Sequence, residues 1–374
     1  MNSEIRKHII RYIIYIIFVL GLTSLAFYLT LKDNIADVFN LLKKANIGYI
    51  ILILGIVVIS ILLRSIAIFS LNSIFTKDYM FHRAIAIDQV GSLYRMVTPA
   101  GLGGHVMETY TYSKQGVKIA NALSVIAMYS IVYQVVLILY GIITIIVKSD
   151  LINEIHSVSI WFNNNSATVS LWLLVAIGFA FNTLSIGVIL LLSYWNGFFR
   201  FIRGPIVSLL HKIKLVKDID SAHSSLDVAV INFRNNLKTL LRNVPILLIC
   251  VIAFFSYITV SYSVPYICGL SLGNTSSYAN FWDSVLLSNL HQMVTCIIPL
   301  PGNSLLSEHF FSELFFASNG PKFYSSQEIA DASLLLWRSL MFIFPLIIAS
   351  IYTLVYRPRK KINNEDQENK DTQE

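Results

Sequence analysis

Residues 84–112 read AIAIDQVGSLYRMVTPAGLGGHVMETYTY, and residues 281–318 read FWDSVLLSNLHQMVTCIIPLPGNSLLSEHFFSELFFAS. Both stretches are apolar, yet neither has the form of an ordinary membrane span. Each starts with a helical piece, breaks at Pro and Gly, and resumes with a shorter piece. As a helix, residues 84–98 would reach only about 22 Å, short of a hydrocarbon core of about 30 Å. The pattern predicts two re-entrant hairpins. They also match one another: Leu93-Tyr-Arg-Met-Val-Thr98 and Leu290-His-Gln-Met-Val-Thr295 agree at four of six positions. In both, a Pro precedes a Glu by nine residues, Pro99 to Glu108 and Pro299 to Glu308, and an acid stands near the start, Asp88 or Asp283.

Outward from these hairpins, the composition requires a membrane. Of 374 residues, 55% are apolar and 13% charged, whereas soluble domains carry about a quarter charged residues; mean hydropathy is +0.66. A soluble enzyme, a disordered scaffold and a secreted disulfide module are excluded, the last because Cys250, Cys268 and Cys296 form no CxxC pair or framework. The net charge, 28 basic minus 21 acidic or +7, reads as an orientation signal beside membrane spans, and no nucleic-acid partner is expected. Six runs, about 9–31, 47–70, 119–147, 168–194, 243–264 and 329–355, are long enough to cross. The first lacks a small-x-small cleavage site and reads as a retained span. The predicted fold is an all-α polytopic membrane protein of about six full spans plus the two hairpins. It forms one transmembrane domain over 1–356, with repeat 1 at about 1–147 and repeat 2 at about 168–356, followed by a polar tail at 357–374 expected to be disordered.

Lys and Arg set the orientation. Three precede the first span, eight lie in 195–242 and five in the tail, while 149–167 has none. Both termini are therefore expected in the cytoplasm, in a multi-pass protein of the cell membrane. Segment 32–46 is the exception, external yet carrying Lys32, Lys43 and Lys44; Ile35, Val38, Phe39, Leu41 and Leu42 predict an amphipathic surface helix there. Trp195, Phe198, Phe199 and Phe201, interleaved with Arg200 and Arg203, suit a cytoplasmic loop anchored at headgroup depth. Two crossings precede the first hairpin and five the second, so the two enter from opposite faces, the signature of an inverted repeat with a site where the breaks approach. Broken backbone must be buried in protein or line a polar cavity, and free helix N-termini there favour anions. Pro99, Gly101, Gly103, Gly104, Pro299, Pro301 and Gly302 are the candidates for shaping the breaks.

Arg64 and Arg338 lie inside the second and last spans. Charge at that depth is costly and defaults to function. Two readings stand: each Arg pairs structurally with Asp88, Glu108, Asp283 or Glu308, or the two form a cationic floor that grips a phosphate bidentately. Glu108 and Glu308 could contact an amine, gate the cavity or carry a proton, or be plain first-turn acids. His105 and Glu108 share a helix face at i,i+3 but are too few for a metal; His291 and His309 read as polar packing residues. No Walker A, HExxH or GxSxG pattern occurs, and GLGGH at 101–105 follows no strand, so no catalytic residues, metal or cofactor are expected.

Thr98-Pro-Ala-Gly-Leu-Gly-Gly-His105 through Tyr112, then Ser113-Lys-Gln-Gly116, resembles the first motif of the lysylphosphatidylglycerol synthase transmembrane-region family, the flippase-like membrane part of multiple peptide resistance factors. The second motif is similar to Pro299-Leu-Pro301-Gly302 followed by Ser307-Glu308, Phe311 and Phe315-Phe316, and Leu334-Leu-Leu-Trp337-Arg338 fits as well. The resemblance covers about 9–356. It departs at Asn303, Ser304, Leu305 and Leu306, where family members tend to have small residues. Synthase members add a C-terminal aminoacyltransferase domain; this sequence stops at 374, so the expectation is a flippase-like protein without it. The resemblance implies translocation of anionic or aminoacylated (lysyl-) phosphatidylglycerol-type lipid, with phospholipid and the membrane as partners. Arg64 and Arg338 would contact phosphate, Glu108 and Glu308 an amine or gate, and Asp88 and Asp283 would complete the binding set. A separate lipid-aminoacylating synthase and a second copy of the chain are further candidate partners. Three alternatives stay open: a phosphatidylglycerol lysyltransferase-family role in lysylphosphatidylglycerol synthesis and cationic peptide resistance, a secondary transporter of a small solute, and a partner subunit without transport of its own.

Overall fold

The computed structural model describes residues 3–31, 34–76, 78–159, 168–195, 219–296, 300–317 and 321–356. Pro299, the Phe198–Phe201 cluster with Arg203, and the tail 357–374 lie outside them.

Apolar length decides which segments become long helices. In chain order these are α1 (Ser3–Leu31), a short α2 (Ile35–Lys43) and α3 (Ile47–Ser73). The first hairpin is α4 (Phe81–Val97), a 3-10 turn at Pro99–Gly101, and α5 (Leu102–Lys114). Then come α6 (Ile119–Val147), α7 (Ser149–Ile155), a two-stranded ribbon β1 (Ser157–Ser159) and β2 (Thr168–Ser170), and α8 (Leu171–Tyr194). After α9 (Ile219–Arg242), α10 (Val244–Tyr262) and α11 (Val264–Ser271), the second hairpin follows: α12 (Phe281–Thr295), a 3-10 turn at Pro301–Asn303, and α13 (Leu306–Phe315). The chain closes with α14 (Gln327–Arg338), a π turn at Ser339–Ile343, and α15 (Phe344–Val355).

Five of these runs are long and apolar enough to cross a membrane: Ile47–Ser73, Asn121–Val147, Leu171–Val188, Val244–Ser271 and Gln327–Val355. A sixth is reached if Ile16–Thr30 and Ile35–Lys43, bent by 106° against one another, make one span. That bend turns α2 across the end of α1; of the apolar residues expected to define this helix, Val38 is buried and Leu41 and Leu42 are partly buried, while Ile35 and Phe39 are exposed. The chain is an all-α polytopic membrane protein.

Three boundaries differ from the sequence reading. The run 243–264 continues to Ser271, because Pro265 opens the first turn of α11, where a proline has no hydrogen bond to lose. The basic connection 195–242 contains a 24-residue helix, α9, laid along α6 and α8. The last span carries a π turn directly after Arg338, where Pro345 has no N–H for the carbonyl four residues back and one turn of the ladder widens.

The two hairpins enter the bundle from opposite ends. The base of the first is held beside the end of the last helix, where Gln115 Nε2 donates to Tyr356 Oη at 2.9 Å and Tyr79 Oη to Gln115 Oε1 at 2.8 Å. The second is tied to the ribbon at the far end of α6: His309 Nε2 lies 2.7 Å from the Ser159 carbonyl, and Ser159 Oγ donates to Glu313 at 3.1 Å. The packing is reciprocal. α12 lies on α6, the helix after the first hairpin, and α4 lies on α15, the end of the helix after the second. The apolar core divides in the same way, one cluster around Leu71, Met128 and Phe254 and another around Phe311, Phe315 and Tyr324.

Candidate functional site

Both breaks are built by the same local chemistry. Thr98 and Thr295 each fold a hydroxyl back onto the carbonyl four residues earlier, Tyr94 at 2.6 Å and His291 at 2.8 Å. Thr98 Oγ1 also accepts from Gly103 N–H at 3.0 Å, satisfying one orphan donor of the resumed helix. Gly101 (φ +67°) and Gly302 (φ +59°) then reverse the chain in the left-handed region, which costs glycine nothing. Limbs α4 and α5 pack tightly: a Cβ on Gly104 would stand 2.2 Å from Arg95 Cγ and 3.1 Å from the Gly91 carbonyl, and one on Gly103 would meet Thr98 at 2.6 Å. The two breaks meet. A Cβ on Gly302 would lie 3.2 Å from the Met96 carbonyl and 2.4 Å from Phe342.

The ionisable residues sort into three groups. Arg64 donates Nε and Nη2 to the two oxygens of Asp88 at 2.8 and 3.0 Å, with Tyr257 against its guanidinium at 5.1 Å. Next to this pair, Arg95 Nη1 is bonded to Glu108, Nη2 to Ser92 Oγ at 3.1 Å, and Nη2 lies 4.0 Å from Asp88. His105 Nδ1 holds the other Glu108 oxygen at 3.0 Å. Arg64, Asp88, Arg95, Glu108 and His105 thus form one continuous network on α3 and the first hairpin.

The second group surrounds Arg338. Its Nε lies 2.6 Å from Glu308 Oε1, and Nη2 donates to the Gly302 carbonyl at 2.8 Å and to Ser304 Oγ at 3.0 Å. Glu308 Oε2 in turn accepts from Leu305 N–H at 2.7 Å. Leu305 has φ +80°, a region that glycine adopts most easily. Arg338 therefore pins the second break. The third group is Asp283 with Lys148, at the base of the second hairpin, where Asn280 caps the helix through Asp283 N–H at 2.9 Å.

A cavity of about 810 Å³ lies between the breaks. Its walls include Arg64 and Ser60 from α3, Arg95 and His105 from the first hairpin, Gln292 and Asn303 from the second, and Tyr129, Gln134, Asn182 and Tyr257 from the surrounding helices. Of the six side chains expected to bind substrate, Arg64 lines this space and Asp88 is paired to it. Glu108 is held behind Arg95, while Arg338 with Glu308, and Asp283, do not border it. The two guanidinium groups that border the cavity are those of Arg64 and Arg95, while Arg338, expected beside Arg64, is bonded to the second break and to Glu308. His291 is a packing residue, its Nε2 2.8 Å from the Ser307 carbonyl and its ring 5.4 Å from that of Trp337.

The family model for the lysylphosphatidylglycerol synthase TM region matches residues 12–349, both hairpins and the cavity included. The chain belongs to this family. No curated protein sequence matches it. Within the family's membrane region, Pro301 is buried at the start of the second turn and Pro99 opens the first, so both motif prolines that are described stand at breaks. Arg95 is the functional candidate that the sequence reading leaves out. Its signal was available: it is an Arg within a segment too short to cross and one of the two differences between the matched hexapeptides.

Proposed function

We propose that this lysylphosphatidylglycerol synthase TM-region protein translocates anionic or aminoacylated phosphatidylglycerol-type lipid between leaflets. The headgroup would pass through the cavity between the breaks while the acyl chains remain in lipid. The observation that carries this reading is the cavity itself, with two guanidinium groups, amides and tyrosines on a wall inside an otherwise apolar bundle. At about 810 Å³ it has the size of a site for an organic ligand, larger than a small ion requires. Arg64 presents 16% and Arg95 27% of their side-chain surface, so phosphate can reach both. Reciprocal packing of the hairpins supports an inverted repeat, and the Lys/Arg distribution supports a cell-membrane protein with both termini cytoplasmic. A synthase that aminoacylates the lipid would act upstream.

The test is movement of headgroup-labelled phosphatidylglycerol in proteoliposomes, read by quenching the outer leaflet with a membrane-impermeant reductant. Wild-type protein is expected to expose the inner-leaflet pool. Ala127→Trp, which fills the cavity from α6, is expected to reduce the rate at least about tenfold, and Ile146→Trp on the exposed face of the same helix to leave it unchanged. If wild type matches empty liposomes with both plain and lysylated lipid, the translocator reading falls. Equal rates for wild type and Ala127→Trp would instead remove the cavity from the path.

A further inference from the structure

Arg95 and Gln292 hold the same place in the two matched hexapeptides, third in Leu93–Thr98 and third in Leu290–Thr295. The equivalence extends beyond the alignment. The Thr three residues later makes the same back-bond in each copy, and both third residues border the one cavity. The hairpins come from opposite ends of the bundle, and each contributes one of these side chains to the cavity wall.

Their bonding differs. Arg95 is shared between Glu108 and Ser92, with His105 as the second partner of Glu108, and 27% of its side-chain surface stays open. The Gln292 side-chain amide has no hydrogen-bond partner among the described residues. The side chain is half-buried and opens on the cavity, so its amide is free to bond a group held there. One guanidinium and one amide on the wall of the same cavity suit a singly charged group with a polar neighbour: the guanidinium grips anionic oxygens, and the amide both donates and accepts.

We propose that Arg95 and Gln292 form a two-sided clamp on the phosphodiester of the translocated headgroup, Arg95 holding the phosphate oxygens and Gln292 the hydroxyl or amine beyond them. The inverted repeat makes the two positions interchangeable for the guanidinium. This inference rests on the translocation reading for its ligand, and its test is a binding measurement so that the two can fail separately.

The full chain in detergent is titrated with dihexanoyl-phosphatidylglycerol and, separately, with glycerol 1-phosphate, while thermal midpoints monitor folding. Gln292→Ala is expected to weaken lipid binding about fivefold, the worth of one neutral hydrogen bond. R95Q/E108Q, which removes the acid along with its partner, is expected to lose at least about tenfold. Adding Q292R to that double variant is expected to restore binding to within about threefold of wild type, and adding S130R, a cation elsewhere on the cavity wall, to restore nothing. Glycerol 1-phosphate is expected to bind at least about tenfold more weakly than the diester lipid.

Absence of saturable lipid binding by wild type, an unchanged Gln292→Ala, failure of Q292R to rescue, or equal rescue by S130R each overturns the clamp. Tighter binding of glycerol 1-phosphate overturns it in favour of a soluble phosphate ester. If Q292R lowers the midpoint, Gln292→Ala alone decides. Binding that behaves as expected in a protein that moves no lipid removes the translocation reading and leaves the clamp. Normal translocation with unaltered binding in the variants does the reverse.

Discussion

Arg338→Met is expected to destabilise the protein by about 3–5 kcal/mol, the scale for stranding one partner of a buried ion pair, and adding Glu308→Gln is expected to recover most of that loss. Arg338 and Glu308 have side chains only 5% and 0% exposed, so the single substitution leaves a carboxylate that neither water nor lipid can solvate. The amide introduced by Glu308→Gln removes the charge yet still offers an oxygen to Leu305 N–H, the bond that holds the left-handed residue of the second break. What stays lost in the double variant is the pair of bonds from Arg338 to Gly302 and Ser304, and Ser304 retains Thr23 at 3.0 Å; about 1–2 kcal/mol is the expected remainder. Arg64→Met should cost less than Arg338→Met, since Asp88 keeps Gln89 at 2.9 Å and the nearby Arg95. Thermal unfolding in detergent with a thiol-reactive dye reads this directly, because Cys250 and Cys268 are buried and free. A double variant no more stable than Arg338→Met would show that the two charges are not coupled.

How far the sequence could be read depended on whether a feature was local. The breaks were legible because Pro and Gly report on backbone: Gly101 and Gly302 stand at positive φ as that reading needs. That 35–43 forms a short helix followed from its spacing, but which of its apolar residues are buried did not: Val38 is buried while Ile35 and Phe39 are exposed. That Arg64 and Arg338 must find anions was legible too, since charge in an apolar span has few alternatives. Which anion each would take was not, because Asp88 lies 24 residues from Arg64 and Glu308 30 from Arg338, and several acids satisfied the same requirement. Arg95 went unrecognised for a related reason. Within the repeat it stood as one position of a match, while its place on a cavity wall depends on how both hairpins pack. α9 was obscured by its charges, which read as loop although their spacing is amphipathic. The span ending in α11 was cut short by Pro265, a residue that signals a helix start as readily as a stop.

The packing that brings Gln292 to the cavity leads to the other large effect, a graded series of glycine substitutions. A Cβ on Gly178 of α8 would stand 2.0 Å from the Met293 carbonyl oxygen and 2.7 Å from its carbon, so Gly178→Ala forces the backbone of α12 away. A Cβ on Gly141 of α6 would meet the same residue at 2.1 Å, but at its terminal methyl, which can rotate aside. Gly187, also on α8, has nothing within 4 Å. Gly187→Ala is therefore expected to be neutral or to stabilise by up to about 1 kcal/mol through helix propensity, Gly141→Ala to cost about 1 kcal/mol, and Gly178→Ala about 3 kcal/mol or more, at the upper end for overpacking. Gly178→Ala should also lower lipid translocation, because Gln292 is the residue before Met293 and moves with it. Midpoints by thiol-dye unfolding, together with the reductant assay, measure both effects. The required order is Gly187→Ala above Gly141→Ala above Gly178→Ala. If Gly178→Ala unfolds no earlier than Gly187→Ala, α12 does not rest on α8 by direct backbone contact. The route from the second hairpin to the cavity would then need another support.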